Sequence, residues 1–215
     1  MYKLVIFDLD GTLLDTLPDL QAVLNFCLKM SALPEISLDD TKKFIGNGAK
    51  KLVERAVGVD NSSLVEEVYR NYNKYFAQCD NSLTRLFDGV DGLLKRLKYL
   101  NIKLTILSNK PQYGVNSAYQ KFLSEYRFDA VLGQTDGVPL KPDPSVTLEI
   151  INNFGLRREE CLFVGDGETD VLTAKNAGVN CVSVLWGYRT LKQLEEVGAK
   201  TFVKDCDELL NLIIL

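Results

Sequence analysis

The chain has 215 residues, 46% of them hydrophobic, and 25 Lys and Arg stand against 29 Asp and Glu for a formal net charge of −4. That suits one globular core with room for a small second domain, and the mildly acidic balance leaves no electrostatic footprint for nucleic acid. The chain has no histidine, which excludes Ser-His-Asp and Cys-His hydrolases, phosphohistidine chemistry and any His-ligated metal, and leaves acid–base work to Asp, Glu, Lys, Tyr or Cys.

In chain order, MYKLVIFDLDGTLLDT opens with a strand over 3–7 that ends in two aspartates, Asp8 and Asp10. Residues 16–84 carry no strand pattern. PDLQAVLNFCLKM, SLDDTKKFI, GAKKLVERAV and SSLVEEVYRNYNKYFAQC all read as helices. DGVDGLLKRLKYL (88–100) returns to a strand–helix rhythm. KLTIL (103–107) reads as a strand, and 111–123 as a helix with Pro111 in its first turn. Residues 128–133 read as a short strand and 143–155 as a helix closed by Gly155. A strand follows at 161–165, then a helix over 168–177 closed by Gly178, a strand over 180–186, and a last helix over 205–214. Strands alternating with helices of this length predict a parallel sheet covered on both faces. The helical stretch reads as an insertion after the first strand. The predicted organisation is therefore an α/β core of 1–15 and 85–215, with a helical domain of 16–84 inserted in it.

No apolar run reaches the length of a bilayer span, and the N-terminal apolar stretch is too short for a signal-peptide core. The expectation is a cytoplasmic protein without membrane or nucleic-acid partners, a monomer or weak homodimer. Cys27, Cys79, Cys161, Cys181 and Cys206 are odd in number and widely spaced. They read as small core residues in a reducing compartment.

Open parallel sheets bind ligands at the carboxyl ends of their strands, and four of the predicted strands end in chemistry. The first gives Asp8, Asp10 and Thr12, and the second Ser108, Asn109 and Lys110. The loop after 128–133 gives Lys141, and GDGETD gives Asp166, Glu168 and Asp170. Each alone could be a turn or a helix cap. Together, several carboxylates would repel unless a cation sat among them. Oxygen donors without histidine point to Mg²⁺. The lysine, hydroxyl and amide suit the oxygens of a phosphate.

FDLDGT, LSNK, LKPDP and GDGETD, in this order, resemble the four motifs of the haloacid-dehalogenase superfamily. The resemblance implies a Rossmann-like core and identifies the helical insert as that family's small cap. It implies that Asp8 is a nucleophile forming a phosphoaspartate, and that Asp10 protonates the leaving alkoxide and then deprotonates the attacking water. Mg²⁺ would be held by Asp8, the Asp10 carbonyl and Asp166, supported by Asp170. Ser108, the Asn109 backbone, Lys141 and the Gly11 and Thr12 amides would hold the phosphate. Asp10 also argues against a dehalogenase, since a halide needs no proton. FIGNGAKKLVERAVG, NKPQYGV and VLWGYR resemble bacterial phosphoglycolate phosphatases, which implies a small phosphorylated metabolite as substrate. In the cap, the Gly46-Asn47-Gly48 turn reads as a substrate loop, with Arg55 or Lys50 adding charge. Phe44, Leu52 and Val53 read as cap core, and Trp186 and Tyr188 as packing near the site. The rival readings are a β-phosphoglucomutase-like or pyrophosphate-cleaving enzyme of the same superfamily, and an inactive binding module.

Overall fold

The computed structural model describes residues 1–58 and 62–215. Its strands are β1 (Leu4–Phe7), β2 (Leu14–Asp15), β3 (Arg85–Leu86), β4 (Lys103–Pro111), β5 (Ala130–Gln134), β6 (Cys161–Gly165), β7 (Asn180–Val184) and β8 (Phe202–Val203). Its α-helices are α1 (Leu17–Met30), α2 (Leu38–Phe44), α3 (Ala49–Val57), α4 (Ser62–Phe76), α5 (Val90–Tyr99), α6 (Gln112–Ala118), α7 (Ser145–Asn153), α8 (Glu168–Ala177), α9 (Leu191–Glu196) and α10 (Cys206–Ile214).

Six strands form one parallel sheet in the order β5-β4-β1-β6-β7-β8. β1 sits inside it, paired with β4 on one side and β6 on the other. All four of its side chains are buried, as a strand covered on both faces requires. The period of two divides them. Val5 and Phe7 join a cluster with Leu104, Ile106, Leu162 and Val164 and with residues of α5 and α10. Leu4 and Ile6 face the other way, onto Phe163, Ile150, Ile151 and Ala174 from β6, α7 and α8. The chain runs outward from β1 through β4 to β5, then crosses back to β6 on the far side of β1. The strand order therefore reverses beside β1, where a crevice opens.

β2 and β3 form a separate two-stranded antiparallel ribbon, Leu14 opposite Leu86 and Asp15 opposite Arg85. Helices α1–α4 leave and return through this ribbon. They bury their own apolar cluster, with Leu24, Leu28, Val53, Val68 and Tyr72 at its centre. α2 is capped at its start by the Ser37 hydroxyl, which accepts from the Asp40 N–H at 3.1 Å.

Some elements depart from the sequence reading. β4 runs on through Ser108, Asn109 and Lys110 to Pro111, with an irregular register against β5 after Leu107. Pro111 is extended (φ −51°, ψ 139°) and precedes α6 instead of sitting in its first turn. α6 ends at Ala118, and 119–126 continue as a wide π turn and a short 3₁₀ turn. The strand expected at 180–186 stops at Val184. β8, α9 and the β2–β3 ribbon carry no expected counterpart. The cysteines are all free; Cys27, Cys161 and Cys206 are buried. No described helix is long and apolar enough to cross a membrane.

Candidate active site

The adjacency of β1, β4 and β6 places Asp8, Ser108–Lys110 and Asp166 side by side at the carboxyl edge of the sheet. Lys141 arrives from the loop between β5 and α7. The Asn109 side chain fixes that loop. Its oxygen accepts from the Lys141 N–H at 2.8 Å, and its amide donates to the Lys141 carbonyl at 2.9 Å. The Lys141–Pro142 peptide is cis. So held, the buried Lys141 ammonium lies 2.9 Å from Asp8 and 2.7 Å from Asp170. Asp170 stands in the first turn of α8, where its second oxygen accepts from the Gly167 N–H at 2.9 Å.

Electrostatics follow from burial. The Asp8 carboxyl is pushed up by desolvation; Lys141 opposes this, and Asp170, Asp166 and Asp10 add repulsion. Asp166 is driven up to about 7 by desolvation and by Asp170, against the Tyr188 N–H, Arg189 and Thr12, which favour its charged form. For Lys141 desolvation favours the neutral amine, but Asp170 and Asp8 outweigh it and hold the ammonium firmly charged.

Asp166 is set by two hydrogen bonds. The Thr12 hydroxyl donates to Oδ1 at 3.1 Å, and the Tyr188 N–H donates to Oδ2 at 2.8 Å. Two glycines leave room for it. A Cβ on Gly11, where φ is +87°, would lie 2.3 Å from the carboxylate, and one on Gly187 would lie 2.3 Å from the Asp166 Cβ. Asp8, Asp166 and Asp170 can each bring a carboxylate oxygen within 4.8 Å of the others. A buried, oxygen-only group in which desolvation and mutual repulsion push Asp8 and Asp166 up fits a hard divalent cation. Asp170 is committed to Lys141 and Gly167, so Asp8 and Asp166 are the carboxylates that would hold the ion.

The turn after β1 is held by its own backbone. The Gly11 N–H donates to the Leu14 carbonyl at 2.9 Å, and the Thr12 N–H donates to Leu9 at 3.4 Å. These bonds close the turn, and the Thr12 hydroxyl serves Asp166. Asp10 shares one oxygen between the Thr16 hydroxyl at 2.6 Å and the Lys110 ammonium at 2.9 Å. The Tyr188 hydroxyl accepts from the Thr16 and Leu17 N–H groups and donates to Asp15 at 3.2 Å. The Trp186 indole donates to the Thr12 carbonyl at 3.0 Å. These two aromatics thus tie the loop after β7 to the turn after β1, which goes beyond packing.

Above the polar floor lies a small chamber. Asp8, Asp10, Ser108, Asn109, Lys110 and Asp166 line its lower part. Leu20, Ile45, Ala49, Leu52, Tyr72 and Phe76, from α1, α3, α4 and the turn after α2, make an apolar roof. Of the cap turn, Gly46 and Gly48 reach the chamber, both at positive φ. Asn47 turns back, and its side-chain oxygen accepts from Arg55 at 2.7 Å. Arg55 also donates to the Phe44 carbonyl, and Lys50 pairs with Glu66 at 2.6 Å on the surface. Neither cation expected to serve the substrate lines the chamber. Leu52 does line it and is also part of the cap core, as Val53 is.

Two further cations stand at the chamber wall. Lys110 is already among the strand-end residues, and its contact with Asp10 across 100 positions gives it a place. Arg189 donates to both oxygens of Glu168 at 2.8–2.9 Å, and to the Lys42 and Ile45 carbonyls at 2.7 and 2.8 Å. It therefore closes the carboxyl end of α2 from the core side. With the Asn109 amide, which also donates to the Gly46 carbonyl at 3.0 Å, it joins the helical insert to the sheet.

A family described as haloacid dehalogenase-like hydrolase matches residues 5–184. Phosphoglycolate phosphatase 1 of Pseudomonas aeruginosa is 32% identical over 213 residues, 97% of this chain and 78% of that protein. The phosphoglycolate phosphatase of Mannheimia succiniciproducens is 30% identical over 220 residues, 99% of this chain and 98% of that protein. Among solved structures, a provisionally assigned phosphoglycolate phosphatase from Lactobacillus delbrueckii subsp. bulgaricus superposes with a TM-score of 0.93 at 30% identity, covering 99% of this chain and 98% of that one.

Proposed function

The chain belongs to the haloacid dehalogenase-like hydrolases, and on that premise we propose that it is a Mg²⁺-dependent phosphatase acting on a small phosphate monoester, with 2-phosphoglycolate the leading substrate. The observation that carries the chemistry is the pairing of Lys141 with Asp8 at 2.9 Å beneath a chamber that also receives Asp10. Asp8 attacks phosphorus, the phosphorus–alkoxide bond breaks, and an aspartyl phosphate forms. Asp10 gives its proton to the departing oxygen, then takes one from the water that hydrolyses the acyl phosphate. Lys141, oriented by Asp170 and by the Asn109 clasp, balances the charge of the transferring group. Ser108 and the Asn109 backbone border the same space and are assigned to the phosphate oxygens. Asp8, Asp166 and the Asp10 carbonyl would hold Mg²⁺, which when bound neutralises the carboxylates and polarises a phosphoryl oxygen.

The substrate rests on two supports. Relatives about 30% identical over nearly the whole chain are named phosphoglycolate phosphatases. The roof over the phosphoryl position is apolar and offers few partners to the hydroxyls of a sugar, which weighs against the β-phosphoglucomutase-like reading. Helices α1–α4 act as a cap that excludes water from the covalent step.

The test compares kcat/KM for 2-phosphoglycolate with that for glucose 1-phosphate, pyrophosphate and a nucleoside monophosphate. Preference for 2-phosphoglycolate by tenfold or more, about 1.4 kcal/mol of transition-state discrimination, is expected. Asp8→Asn should abolish turnover while the protein melts as a folded chain, and EDTA should remove activity that added Mg²⁺ restores. Wild-type rates in either condition would overturn the mechanism independently of the substrate.

A further inference from the structure

The cations around the chamber differ in how far they are satisfied. Lys141 holds two carboxylates, and Arg189 holds one carboxylate and two carbonyls. Lys110 is as buried as Lys141, at 2% side-chain exposure, and lines the chamber. Yet among the described residues its ammonium has one hydrogen-bond partner, Asp10 Oδ1. A lysine ammonium carries three donors, and a buried charge with donors to spare is costly unless something answers it.

Its position is built. The ammonium stands 4.9 Å from the centre of the Phe76 ring, where the ring face attracts it. Gly114 on α6 makes the space. A Cβ there would lie 2.7 Å from Phe76 and 3.3 Å from the Lys110 Cε. Lys110 therefore sits where the polar floor meets the apolar roof. In the proposed reaction the leaving oxygen lies beside Asp10, so the remainder of the leaving group begins there and extends toward the cap. An anion on that leaving group finds an otherwise apolar roof, since Arg55 and Lys50 are engaged elsewhere.

We propose that Lys110 is the specificity-determining residue for the leaving group: its ammonium binds a carboxylate carried one carbon beyond the ester oxygen, while its bond to Asp10 keeps that carboxylate in register with the proton donor. The inference rests on the phosphatase reading above and gives it a residue for the acidic end of the substrate. Phosphate esters of the same length with an uncharged leaving group would lack this contact.

The experiment uses the full chain with Mg²⁺ and a matched pair of two-carbon esters, 2-phosphoglycolate and 2-hydroxyethyl phosphate, which differ in one charged group. The ratio of their kcat/KM values is measured for the wild type, Lys110→Met and Lys110→Gln, with thermal melting to show that each variant is folded; if one does not fold, the other carries the test. The ratio should fall at least fivefold in the folded variants, chiefly through KM for 2-phosphoglycolate, and inhibition by glycolate should weaken in parallel. A smaller fall overturns the proposal. So do two rates that drop together, which would mean that Lys110 acts on Asp10 alone. Preference of the wild type for glucose 1-phosphate or pyrophosphate would instead overturn the substrate reading, and the paired ratio would still report on Lys110.

Discussion

Asp166 shows how little freedom a buried carboxylate has. Its oxygens are placed by one hydroxyl and one N–H, and its flanks by two residues that lack a side chain. Gly187→Ala should therefore disable the site without touching a charged group. The new methyl would also crowd the Gly11 carbonyl, 2.5 Å away. Overpacking of this kind costs about 1–3 kcal/mol. The expected outcome is a lower melting temperature and a raised Mg²⁺ requirement in a titration of activity; wild-type Mg²⁺ dependence would refute this view of Gly187. Lys141→Met would leave Asp8 and Asp170 buried and uncompensated, and breaking a buried pair costs roughly 3–5 kcal/mol. Its denaturation midpoint should drop sharply, and Asp170→Asn in the same chain should recover part of the loss. The strand-end aspartates and Lys141 were readable from the sequence because each belongs to a short local motif. Gly187 and Arg189 were not, and Lys110 was seen at a strand end but not paired, because what distinguishes each is a partner distant in sequence: Asp10 for Lys110, Asp166 for Gly187, and Lys42 and Ile45 for Arg189.

At the scale of elements, periodicity located the long helices and the central strands, and missed pieces held by tertiary contacts. β2, β3 and β8 have two residues each, too few to show an alternation. β4 outran its apolar stretch because Ser108, Asn109 and Lys110 are buried polar residues, and a polar run reads as a loop. The start of β5 rests on one side chain. Asp129 accepts from the Leu104 N–H at 3.0 Å and from Lys103 at 2.9 Å, with Lys98 at 3.6 Å. Desolvation raises its carboxyl, but Leu104, Lys103 and Lys98 outweigh that and hold it below the ordinary carboxylate range. A carboxyl depressed in the folded state stabilises above the unfolded value of about 3.9, and the gain disappears as pH falls through the folded value. Asp129→Asn should lose about 1 kcal/mol at pH 7. Melting curves of the two proteins should converge below about pH 4; a gap that stayed constant down to pH 3 would exclude the carboxylate as its source.

The whole molecule is two apolar clusters back to back around the sheet and a third among α1–α4. The third is reached through a ribbon whose strands lie side by side. That ribbon has a consequence for how such a chain can change over generations. Asp15 and Arg85 face each other across one antiparallel rung, where facing Cα atoms are about 5 Å apart. From the sheet's side, the intervening 16–84 therefore form a plug between two adjacent sockets. A two-residue Asn-Gly turn could bridge the gap. Such a shortened chain should retain a cooperative melt and Mg²⁺ binding, and hydrolyse p-nitrophenyl phosphate, whose leaving group fits in open water, while losing discrimination among natural esters. A shortened chain without a cooperative transition would show that the insert is part of the core's own fold. Should the shortened chain melt cooperatively, duplicated genes could exchange the plug and inherit a new diet of substrates while the reacting carboxylates stayed where they were.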